Sequence, residues 1–305
     1  MKVVITGATS MIGAAIIEEC LNNGVEVLAI VHRGTRKLSR LPKSKLIRVE
    51  YANIDQFDQV CVDKKKYDVF YHLAWANTDK AHRDDPVLQE ENIKATLKAV
   101  ELANRIGCKK FIGAGSQAEY GIVDGIILPD TEPHPLISYG IAKLSAGMLS
   151  RRLCEQYGII HIWGRIFSVY GRYDNEETML NYAISQFMKG ELAKFSAATH
   201  IWNYLHESDA GKMLFLLGKK NVKSGIYCIA SDVSLPLKEY IEVMKNIYGE
   251  NAMCEFAEKS DNKKEINLQV DISDLIKSIG FKPQVTFQDG ISDLICYRRT
   301  FLDDR

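Results

Sequence analysis

A tyrosine and a lysine four positions apart are the residues with the clearest chemical potential in this 305-residue chain. On a helix, Tyr139 and Lys143 would share one face, one turn apart. A phenol titrates near pH ~10, and an ammonium within a few ångströms favours the phenolate and lowers that pKa. Such a pair can act as a general acid and base near neutral pH, but the same spacing also occurs in inert surface pairs. A catalytic pair differs from an inert one in that other elements of the fold bring further reactive or ligand-binding residues next to it.

The amino-terminal segment predicts the elements that would hold a dinucleotide. A short β-branched run at 3–5 is typical of a buried parallel strand, and a helix follows a turn that contains Gly7 and Gly13. Gly7 would allow a tight turn, and Gly13 would let the helix pack closely on the strand with its amino terminus facing a pyrophosphate. Ser10 belongs to the same turn, and Met11 and Ile12 begin the helix. Ser10 stands where a glycine is usual, and a glycine turn alone also serves packing in other α/β proteins.

The loop after the second predicted strand, at 26–31, carries basic residues. An NAD enzyme would have an acid at the end of this strand to bind the ribose 2′-hydroxyl, whereas this chain has Val31. Arg33, Arg36 and Lys37 follow, and cationic groups there suit a 2′-phosphate. The sequence therefore predicts NADP(H) as the cofactor. NAD(H) stays possible, and a solvated basic loop before Pro42 is the alternative.

Strands alternate with helices over the first part of the chain. Further strands are predicted at 46–51, 68–76, 109–114 and 159–164, with helices at 86–106 and 136–157. This alternation predicts an α/β fold with a Rossmann-type doubly wound parallel sheet. Ligands bind at the carboxyl ends of the strands in such sheets, where Ala74, Ser116 and Ser168 would join the amino-terminal turn. Asn53, after the third strand, is a candidate adenine contact.

The pattern changes beyond residue 171. Helices are predicted at 176–190, 208–219 and 236–248, but only one clear strand, at 225–230. We therefore expect a Rossmann domain over 1–171, to which parts of 195–235 return. The rest, 172–305, is expected to form a smaller α/β substrate-binding domain.

The composition excludes several classes of partner. Lys and Arg (39) balance Asp and Glu (39), so neither nucleic acid nor an anionic membrane is expected as a partner. No apolar run approaches the ~20 residues of a membrane span, and the first residues do not resemble a signal peptide. Seven scattered cysteines without a Cys-x-x-Cys pair indicate reduced thiols and a cytoplasmic location. The seven histidines show no metal-binding spacing, so no metal site is predicted.

Several motifs occur together in a family-specific order. They are Thr6-Gly7-x-x-x-x-x-Gly13, Ser116, Tyr139-x-x-x-Lys143, Arg165-x-x-Ser168-Val-Tyr-Gly171, Tyr204-Leu-His206-x-x-Asp209 and a segment from Asp271 to Pro283. With this set the chain resembles an extended short-chain dehydrogenase/reductase, and more narrowly the nucleotide-sugar epimerase/dehydratase family. The resemblance covers essentially the whole length and is specific for the family, though not for the substrate.

The resemblance implies roles for individual residues. Tyr139 would transfer the proton at the sugar hydroxyl or carbonyl, Lys143 would bind the nicotinamide ribose and lower the Tyr139 pKa, and Ser116 would hold the reacting oxygen. Asn92 and Thr96 fall where the family has a structural Asn, and Ala74 would line the cofactor loop. The resemblance also implies that the pyrophosphate is bound by Gly7, Ser10, Met11, Ile12 and Gly13. The expected substrate contacts are Trp75, Gln117, Ser168 and Tyr139. The substrate would be a nucleotide-diphosphate sugar.

The family also implies a homodimer formed through the two helices at 86–106 and 136–157. The second of these helices offers apolar side chains for such an interface: Ile141, Leu144, Met148 and Leu149.

Departures from the family pattern carry information. The sugar 4,6-dehydratases follow the catalytic hydroxyl with an Asp-Glu pair that eliminates water, and this chain has Gln117 and Ala118 there. Neither can do that acid–base work, so a 4,6-dehydratase is not expected. Ser168 and Trp202 replace a frequent Asn and a frequent Arg. Lys263 or Lys264 could instead supply the cation for the substrate diphosphate, and a solvated loop is the alternative for these two residues.

Three hypotheses follow. The favoured one is an NADP(H)-dependent reductase of a nucleotide-linked 4-keto-6-deoxysugar, since NADPH is the usual reductant in synthesis. The second is a nucleotide-sugar 4-epimerase that keeps its cofactor bound and uses the same Ser-Tyr-Lys set. The third is a non-catalytic nucleotide-binding regulator, against which the intact set argues.

Overall fold

A computed structural model describes residues 1–62, 66–258 and 265–302. Its strands are β1 (Lys2–Thr6), β2 (Glu26–Val31), β3 (Ile47–Tyr51), β4 (Val69–His72), β5 (Lys110–Ser116), β6 (Ile160–Ile166), β7 (Ser168–Tyr170), β8 (Ala193–Phe195), β9 (Ile201–Trp202), β10 (Tyr204–His206), β11 (Gly225–Ile229), β12 (Leu235–Pro236) and β13 (Cys254–Phe256). Its α-helices are α1 (Met11–Asn22), α2 (Pro86–Arg105), α3 (Ser138–Tyr157), α4 (Met179–Lys189), α5 (Glu207–Lys219), α6 (Leu237–Tyr248), α7 (Ser273–Ile279) and α8 (Phe287–Leu302).

Seven strands form one parallel sheet in the order β11-β6-β5-β4-β1-β2-β3. The predicted doubly wound α/β fold is therefore confirmed. The strand order reverses at β1, which pairs with β2 on one side and β4 on the other. In such sheets the crevice at this reversal, outside the carboxyl ends of the strands, is where ligands bind.

Helices cover both faces of the sheet. On one face α1 packs with α5, and on the other α2 packs with α3. The central strand β1 is buried on both faces, with Val3, Val4 and Ile5 fully covered, as its β-branched sequence predicts. The core below α1 and α5 and the core below α2 are separate clusters on the two faces. The sheet thus holds the helix that carries Tyr139 and Lys143 beside the strand that ends at Ser116.

The carboxyl-terminal part contributes one strand to the main sheet and several short ones of its own. The strand predicted at 225–230 is β11, which lies at the sheet edge beside β6. Three two-stranded sheets, β7 with β10, β9 with β12 and β8 with β13, were not predicted. Their two or three residues are too few to produce an alternating pattern. The division into domains at residue 171 stays a prediction.

Asp209 connects α5 to the carboxyl-terminal segment. Its Oδ2 accepts the backbone N–H groups of Gln284 and Val285 at 2.9 and 2.8 Å. At the other end of α5, the buried Lys110 ammonium donates to three carbonyls, including those of Leu217 and Gly218. A cation there satisfies the orphan carbonyls of the helix and complements its dipole. Across the described ranges, no helix is long and apolar enough to cross a membrane.

Candidate active site

Tyr139 lies in the first turn of α3, and the loop before α2 fixes that turn. Ile137, at the N-cap, has no side-chain oxygen to offer. Instead the Asp84 carboxylate accepts the Ser138 N–H at 2.9 Å, and the Arg83 carbonyl accepts the Tyr139 N–H at 3.0 Å. These acceptors replace the missing cap. The position of Tyr139 therefore depends on a loop from another part of the chain.

Ser116 ends β5 and is buried beside Tyr139. Its hydroxyl accepts the Ala118 N–H at 3.1 Å and hydrogen-bonds the Tyr139 side chain. Lys143 is one turn further along α3 and is also buried. The structure thus brings together the three residues predicted to be catalytic. What they can do in common is hold an oxygen atom and move a proton to or from it.

The Lys143 ammonium is held from two sides. It donates to the Ala114 carbonyl at 2.7 Å and lies 3.6 Å from the centre of the Trp75 ring. Burial lowers the pKa of Lys143 to about 7, while the Glu119 carboxylate acts in the opposite direction. Lys143 is thus close to losing its charge at neutral pH. Contact with an indole face favours the charged form.

The pKa of Tyr139 is raised from its usual value. Burial is the main cause and the Glu119 carboxylate adds to it, while the hydrogen bond from Ser116 and the Arg83 guanidinium pull the pKa down. The cation nearest the Tyr139 ring is Arg83, whose guanidinium carbon lies 4.9 Å from the ring centre. The Lys143 ammonium is 5.7 Å away. That Lys143 lowers this pKa, helped by the positive ring of the oxidised cofactor, stays a prediction.

A buried ion pair between Glu119 and Arg165 contacts the backbone of Ser116. Glu119 and Arg165 are 0% and 2% exposed, and the Arg165 Nε donates to the Glu119 carboxylate at 2.7 Å. The other carboxylate oxygen accepts the Ser116 N–H at 2.8 Å and the Trp163 indole N–H at 3.0 Å. One carboxylate thus fixes the backbone of Ser116 and meets three donors. The Trp163 indole also packs against Gly147 of α3, where a Cβ would come within 2.7 Å of the ring.

A cavity of about 440 Å³ opens at the carboxyl ends of β1 and β4. Gly7 and Ser10 line it, and the Ser10 hydroxyl caps α1 by accepting the Gly13 N–H at 3.0 Å. Gly7 has φ +67°, and a Cβ there would lie 2.8 Å from the Ala74 nitrogen. Met11 and Ile12 form the first turn of α1, whose amides have no intrahelical acceptor. The cradle fits the pyrophosphate of a dinucleotide.

The far wall of this cavity is basic. His32, Thr35, Arg36 and Lys37 line it, and among the described residues no acidic side chain lines the cavity. Arg33, the residue predicted for this contact, is exposed and is not part of the lining. Its Nε donates to Gln56 at 3.3 Å, and its backbone N–H donates to Asn53 at 3.3 Å.

Asn53, predicted as an adenine contact, caps a short 3-10 helix, and its neighbours Ala52 and Ile54 line the cavity instead.

The loop that follows β4 is fixed by two side chains of α2. Gln89 accepts the Trp75 indole N–H at 2.9 Å and donates to the Asn77 carbonyl at 2.7 Å. Asn92 accepts the Ala76 N–H at 2.7 Å. Asn77 has φ +58°, which is uncommon for a residue with a side chain. Trp75, predicted as a substrate contact, lines the cofactor cavity with Ala74 and packs edge-on against Tyr139.

A buried chain of hydrogen bonds positions the start of this loop. Thr96 donates to the Asn92 carbonyl at 2.8 Å, so it accepts from His72 Nε2 at 3.2 Å. His72 Nδ1 then accepts from the Thr6 hydroxyl at 2.9 Å, whose oxygen accepts the Ala74 N–H at 3.3 Å. Burial lowers the pKa of His72 to about 3, which keeps the imidazole neutral as this chain requires.

The predicted substrate contacts are spread more widely. Gln117 follows Ser116 directly and is partly exposed, while Ser168 begins β7 and pairs with Tyr204 of β10. Trp202 has a buried indole N–H without a partner among the described residues. Lys263 and Lys264 lie outside those residues. In the same ranges, no group of three or more His, Cys, Asp or Glu side chains is arranged to hold a metal ion.

Sequence reasoning did not identify three residues that shape the site. Glu119 had a readable signal, because Ser116-x-x-Glu119 is a capping-box spacing. Gln89 and Arg83 had none, since no local pattern marks the contact of Gln89 with the loop after β4 or that of Arg83 with Tyr139.

The sequence matches the family described as NAD dependent epimerase/dehydratase over residues 3–230. An uncharacterized UDP-glucose epimerase, YtcB of Bacillus subtilis, is 23% identical over 317 residues, which cover 97% of this chain and 98% of that protein. The dTDP-6-deoxy-L-talose 4-dehydrogenase (NAD(+)) of Aggregatibacter actinomycetemcomitans is 32% identical over 149 residues, 47% of this chain and 52% of that protein.

Among solved structures, UDP-N-acetylglucosamine 4-epimerase from Methanobrevibacter ruminantium in complex with UDP-N-acetylmuramic acid has a similar fold. It aligns with a TM-score of 0.86 at 20% identity and covers 100% of this chain and 99% of that one. The family match extends from β1 to the end of β11 and includes the cofactor cradle and the Ser116, Tyr139 and Lys143 cluster. The protein is therefore an enzyme of the NAD-dependent epimerase/dehydratase family.

Proposed function

We propose that this protein is an NADP(H)-dependent reductase of a nucleotide-linked 4-keto-6-deoxysugar. The observation that carries the proposal is the basic wall of the cofactor cavity, which Arg36 and Lys37 line, with no acid among the lining residues that the structure describes. An acid in that place would bind the ribose 2′-hydroxyl of NAD, whereas two cations suit the 2′-phosphate of NADP. A relative that acts as a 4-dehydrogenase on a 6-deoxysugar nucleotide supports the substrate class. The NAD(+) in its name makes the cofactor the first point to test.

The residues divide the work of reduction. When bound, the reduced cofactor supplies a hydride to the carbonyl carbon. Ser116 and Tyr139 hold the carbonyl oxygen between their hydroxyl groups, and Tyr139 gives its proton to that oxygen as the alcohol forms. Lys143 would bind the ribose hydroxyls through its ammonium. Hydride addition leaves a negative charge on the sugar oxygen, and this oxygen takes up the proton that the phenol of Tyr139 releases.

The acid–base pair for eliminating water is missing. Gln117 and Ala118 have no titratable side chain, and Ala118 donates its backbone N–H to the Ser116 hydroxyl at 3.1 Å. We therefore do not propose a 4,6-dehydratase.

A nucleotide-sugar 4-epimerase is the second candidate. It is favoured by the name of YtcB and by the UDP-N-acetylglucosamine 4-epimerase whose fold is similar. The two activities use the same cluster but differ in cofactor turnover. An epimerase retains its cofactor and needs none added, while a reductase consumes one NADPH for each sugar.

The cofactor test is mass spectrometry of the nucleotide released from purified protein, followed by NADPH oxidation with a panel of 4-keto-6-deoxysugar nucleotides. We expect stoichiometric NADPH consumption. Tightly bound NAD together with interconversion of two 4-hydroxyl epimers would instead establish the epimerase. The Arg36→Ala, Lys37→Ala double variant should lose at least tenfold in affinity for NADPH and little for NADH. Equal losses for both cofactors would contradict the 2′-phosphate assignment.

The catalytic assignment has its own test. Tyr139→Phe removes only the phenolic oxygen, so turnover should fall by at least two orders of magnitude while cofactor affinity is retained. Unchanged turnover would exclude the proposed chemistry. Binding of nucleotide sugars without any turnover in the wild type would favour the non-catalytic regulator.

For the nucleotide, a second cavity of about 600 Å³ in the carboxyl-terminal part is the proposed site. It is lined by the aromatic rings of Tyr182 and Phe195 and by the cations Lys194 and Arg298, with Glu176 and Glu177 at the same cavity. Rings of this kind suit a base, and Arg298 suits a diphosphate oxygen. Arg298→Ala should therefore raise KM for the nucleotide sugar by about tenfold and leave affinity for the cofactor unchanged.

We also propose a homodimer. Ile141, Met148 and Leu149 of α3 are 51%, 66% and 49% exposed, on a helix that packs beside α2. Such a row of apolar side chains at a surface favours association with a second copy. Sedimentation should give a dimer for the wild type and a monomer for Met148→Glu, and a monomeric wild type would refute the proposal. A cytoplasmic location is proposed because all seven cysteines are free thiols.

A further inference from the structure

Arg83 contacts Tyr139 at two points. Its guanidinium carbon lies 4.9 Å from the centre of the Tyr139 ring, and its carbonyl accepts the Tyr139 N–H at 3.0 Å. Arg83 belongs to the loop between β4 and α2, so neither contact follows from the helix that carries Tyr139. The backbone contact sets where α3 begins. The side-chain contact places a permanent positive charge over the ring.

The carboxylates near Arg83 in the chain are engaged elsewhere. Asp79 accepts from His82 at 2.7 Å, Asp84 accepts the first amide of α3, and Asp85 accepts two amides at the start of α2. The Nε of Arg83 is buried and has no hydrogen-bond partner within the described ranges. A buried N–H without an acceptor is costly, so its retention beside a reactive group needs a reason. The charge of Arg83 is left to act on Tyr139.

A cation over an aromatic ring interacts with the electrons of the ring face. Ionisation of the phenol adds a full negative charge that is shared between the oxygen and the ring, so the same cation attracts the phenolate more strongly than the phenol. Within the part of the chain that the structure describes, two other charged groups face Tyr139. Lys143, on the same helix, lies 5.7 Å from the ring centre, and Glu119, from the segment after β5, opposes ionisation. Ser116 adds a neutral hydrogen bond, and Trp75 adds an uncharged ring edge.

We infer that Arg83 is a positioning residue for the reaction, which stabilises the phenolate of Tyr139 through the face of its ring. Lys143 is then free to bind the cofactor ribose, and its partial loss of charge near neutral pH does not leave Tyr139 without a cation. The inference rests on the proposed function only for the role of Tyr139 as the acid and base. The effect of the Arg83 charge on the pKa of Tyr139 does not depend on the cofactor and can be measured without it.

The direct test is the titration of Tyr139 in cofactor-free protein labelled with fluorotyrosine. The ¹⁹F resonance that is absent from Tyr139→Phe identifies the residue among the 14 tyrosines. Arg83→Met keeps an unbranched apolar stem and the backbone contact but removes the charge. We expect the pKa of Tyr139 to rise by about one unit in Arg83→Met, the lower end of the effect of an adjacent charge, and by less in Arg83→Lys.

Two control variants separate charge from structure. Asp84→Asn weakens the cap of α3 but keeps the guanidinium, and Arg152→Met removes an exposed cation on α3 that pairs with Glu155. Both should leave the titration of Tyr139 within about 0.3 unit of wild type. An unmoved titration in Arg83→Met would overturn the inference, and so would an equal rise in Asp84→Asn. If Arg83→Met does not fold, as judged by thermal unfolding, Arg83→Gln is measured in the same way.

Activity provides the second readout. In the sugar-oxidising direction Tyr139 must accept a proton, so the pH at which kcat reaches half its maximum should rise by the same unit. At a pH below both pKa values this is about a tenfold loss in kcat with KM little changed. A loss confined to KM would contradict the inference. If no nucleotide sugar is turned over by the wild type, the proposed function fails, but the titration still decides the role of Arg83.

Discussion

The buried carboxylate of Glu119 offers the sharpest test of how the site is built. Glu119→Gln keeps the shape of the side chain and removes its charge. The carboxylate accepts from three donors, the Ser116 N–H, the Trp163 indole and the Arg165 guanidinium, at 2.8, 3.0 and 2.7 Å. A glutamine has one oxygen for these three donors, and its NH₂ group would have to face another N–H.

The magnitude follows from the burial of the pair. Arg165 is 2% exposed and Glu119 is 0% exposed, so the variant leaves a guanidinium in the core without a counter-ion. Removing one partner of a buried ion pair costs about 3–5 kcal/mol. We expect the free energy of unfolding to fall by about that amount. Most of the loss is the cost of the uncompensated Arg165, because the pair itself contributes less than its breaking costs.

The assay is urea unfolding of wild type, Glu119→Gln, Arg165→Met and the double variant. If the unpaired charge is the cause, the double variant should recover at least half of the loss seen in Glu119→Gln, since no buried charge remains. Additive losses in the double variant would refute this reasoning. They would mean that the Ser116 and Trp163 contacts, rather than the ion pair, carry the energy.

The same variant should change the site at neutral pH. Glu119 raises the pKa of Lys143, which burial has brought to about 7, so its removal lowers that pKa further. The ammonium would then be lost over a pH range that includes 7 and restored as the pH falls. Cofactor affinity in Glu119→Gln should be weaker than in wild type at pH 7 and closer to it at pH 6, as measured by fluorescence titration. A deficit that does not depend on pH would contradict the electrostatic account.

Three further substitutions test single contacts. Lys110→Met should lower the free energy of unfolding by about 2–4 kcal/mol, measured by urea titration, because three carbonyls at the end of α5 lose their donor. Gly7→Ala should abolish cofactor binding, measured by calorimetry, because its Cβ would lie 2.8 Å from the Ala74 nitrogen. Gly24 has a similar φ but open space around it, so the control variant Gly24→Ala should bind the cofactor normally. Burial lowers the pKa of His161 to about 4, so below pH ~6.5 the unfolded chain takes up a proton that the native protein does not. As the pH falls, the free energy of unfolding of His161→Gln should therefore decrease less steeply than that of the wild type, by about 1.4 kcal/mol per pH unit. Equal slopes would contradict this.

The fold could be predicted because its elements carry strong local patterns. β1 is a β-branched run closed by a glycine turn, and α2 is a 20-residue helix with Pro86 in its first turn. Their alternation leaves few topologies other than a parallel sheet. The short strands β7 to β10 could not be predicted in the same way, because two or three residues have no period and are extended only through their partners.

The site could be predicted only where a local sequence pattern marks its residues. Tyr139 and Lys143 are one helical turn apart, and Ser116 lies at the carboxyl end of a predicted strand, where ligands bind in such sheets. Arg83 precedes Tyr139 by 56 residues, and only the packing of α3 against the loop before α2 brings them together. Arg36 and Lys37 of the basic loop do line the cavity, and their role toward the cofactor stays a prediction. Which of the loop's side chains faces the cavity depends on backbone angles that a sequence pattern does not contain, and Arg33 lies outside while Arg36 lines it.

The two charged regions of the site should therefore be separable by experiment. Arg36 and Lys37 line the cavity at its basic wall, whereas Arg83 and Glu119 act on Tyr139 and its neighbours. Variants of the first pair should change which cofactor is used and leave the pH dependence of kcat as it is. Variants of the second pair should move the pH dependence and leave the preference between NADPH and NADH as it is. If either pair changed both properties, the two regions would be coupled through the cavity, and assigning one to the cofactor and the other to the proton would be wrong.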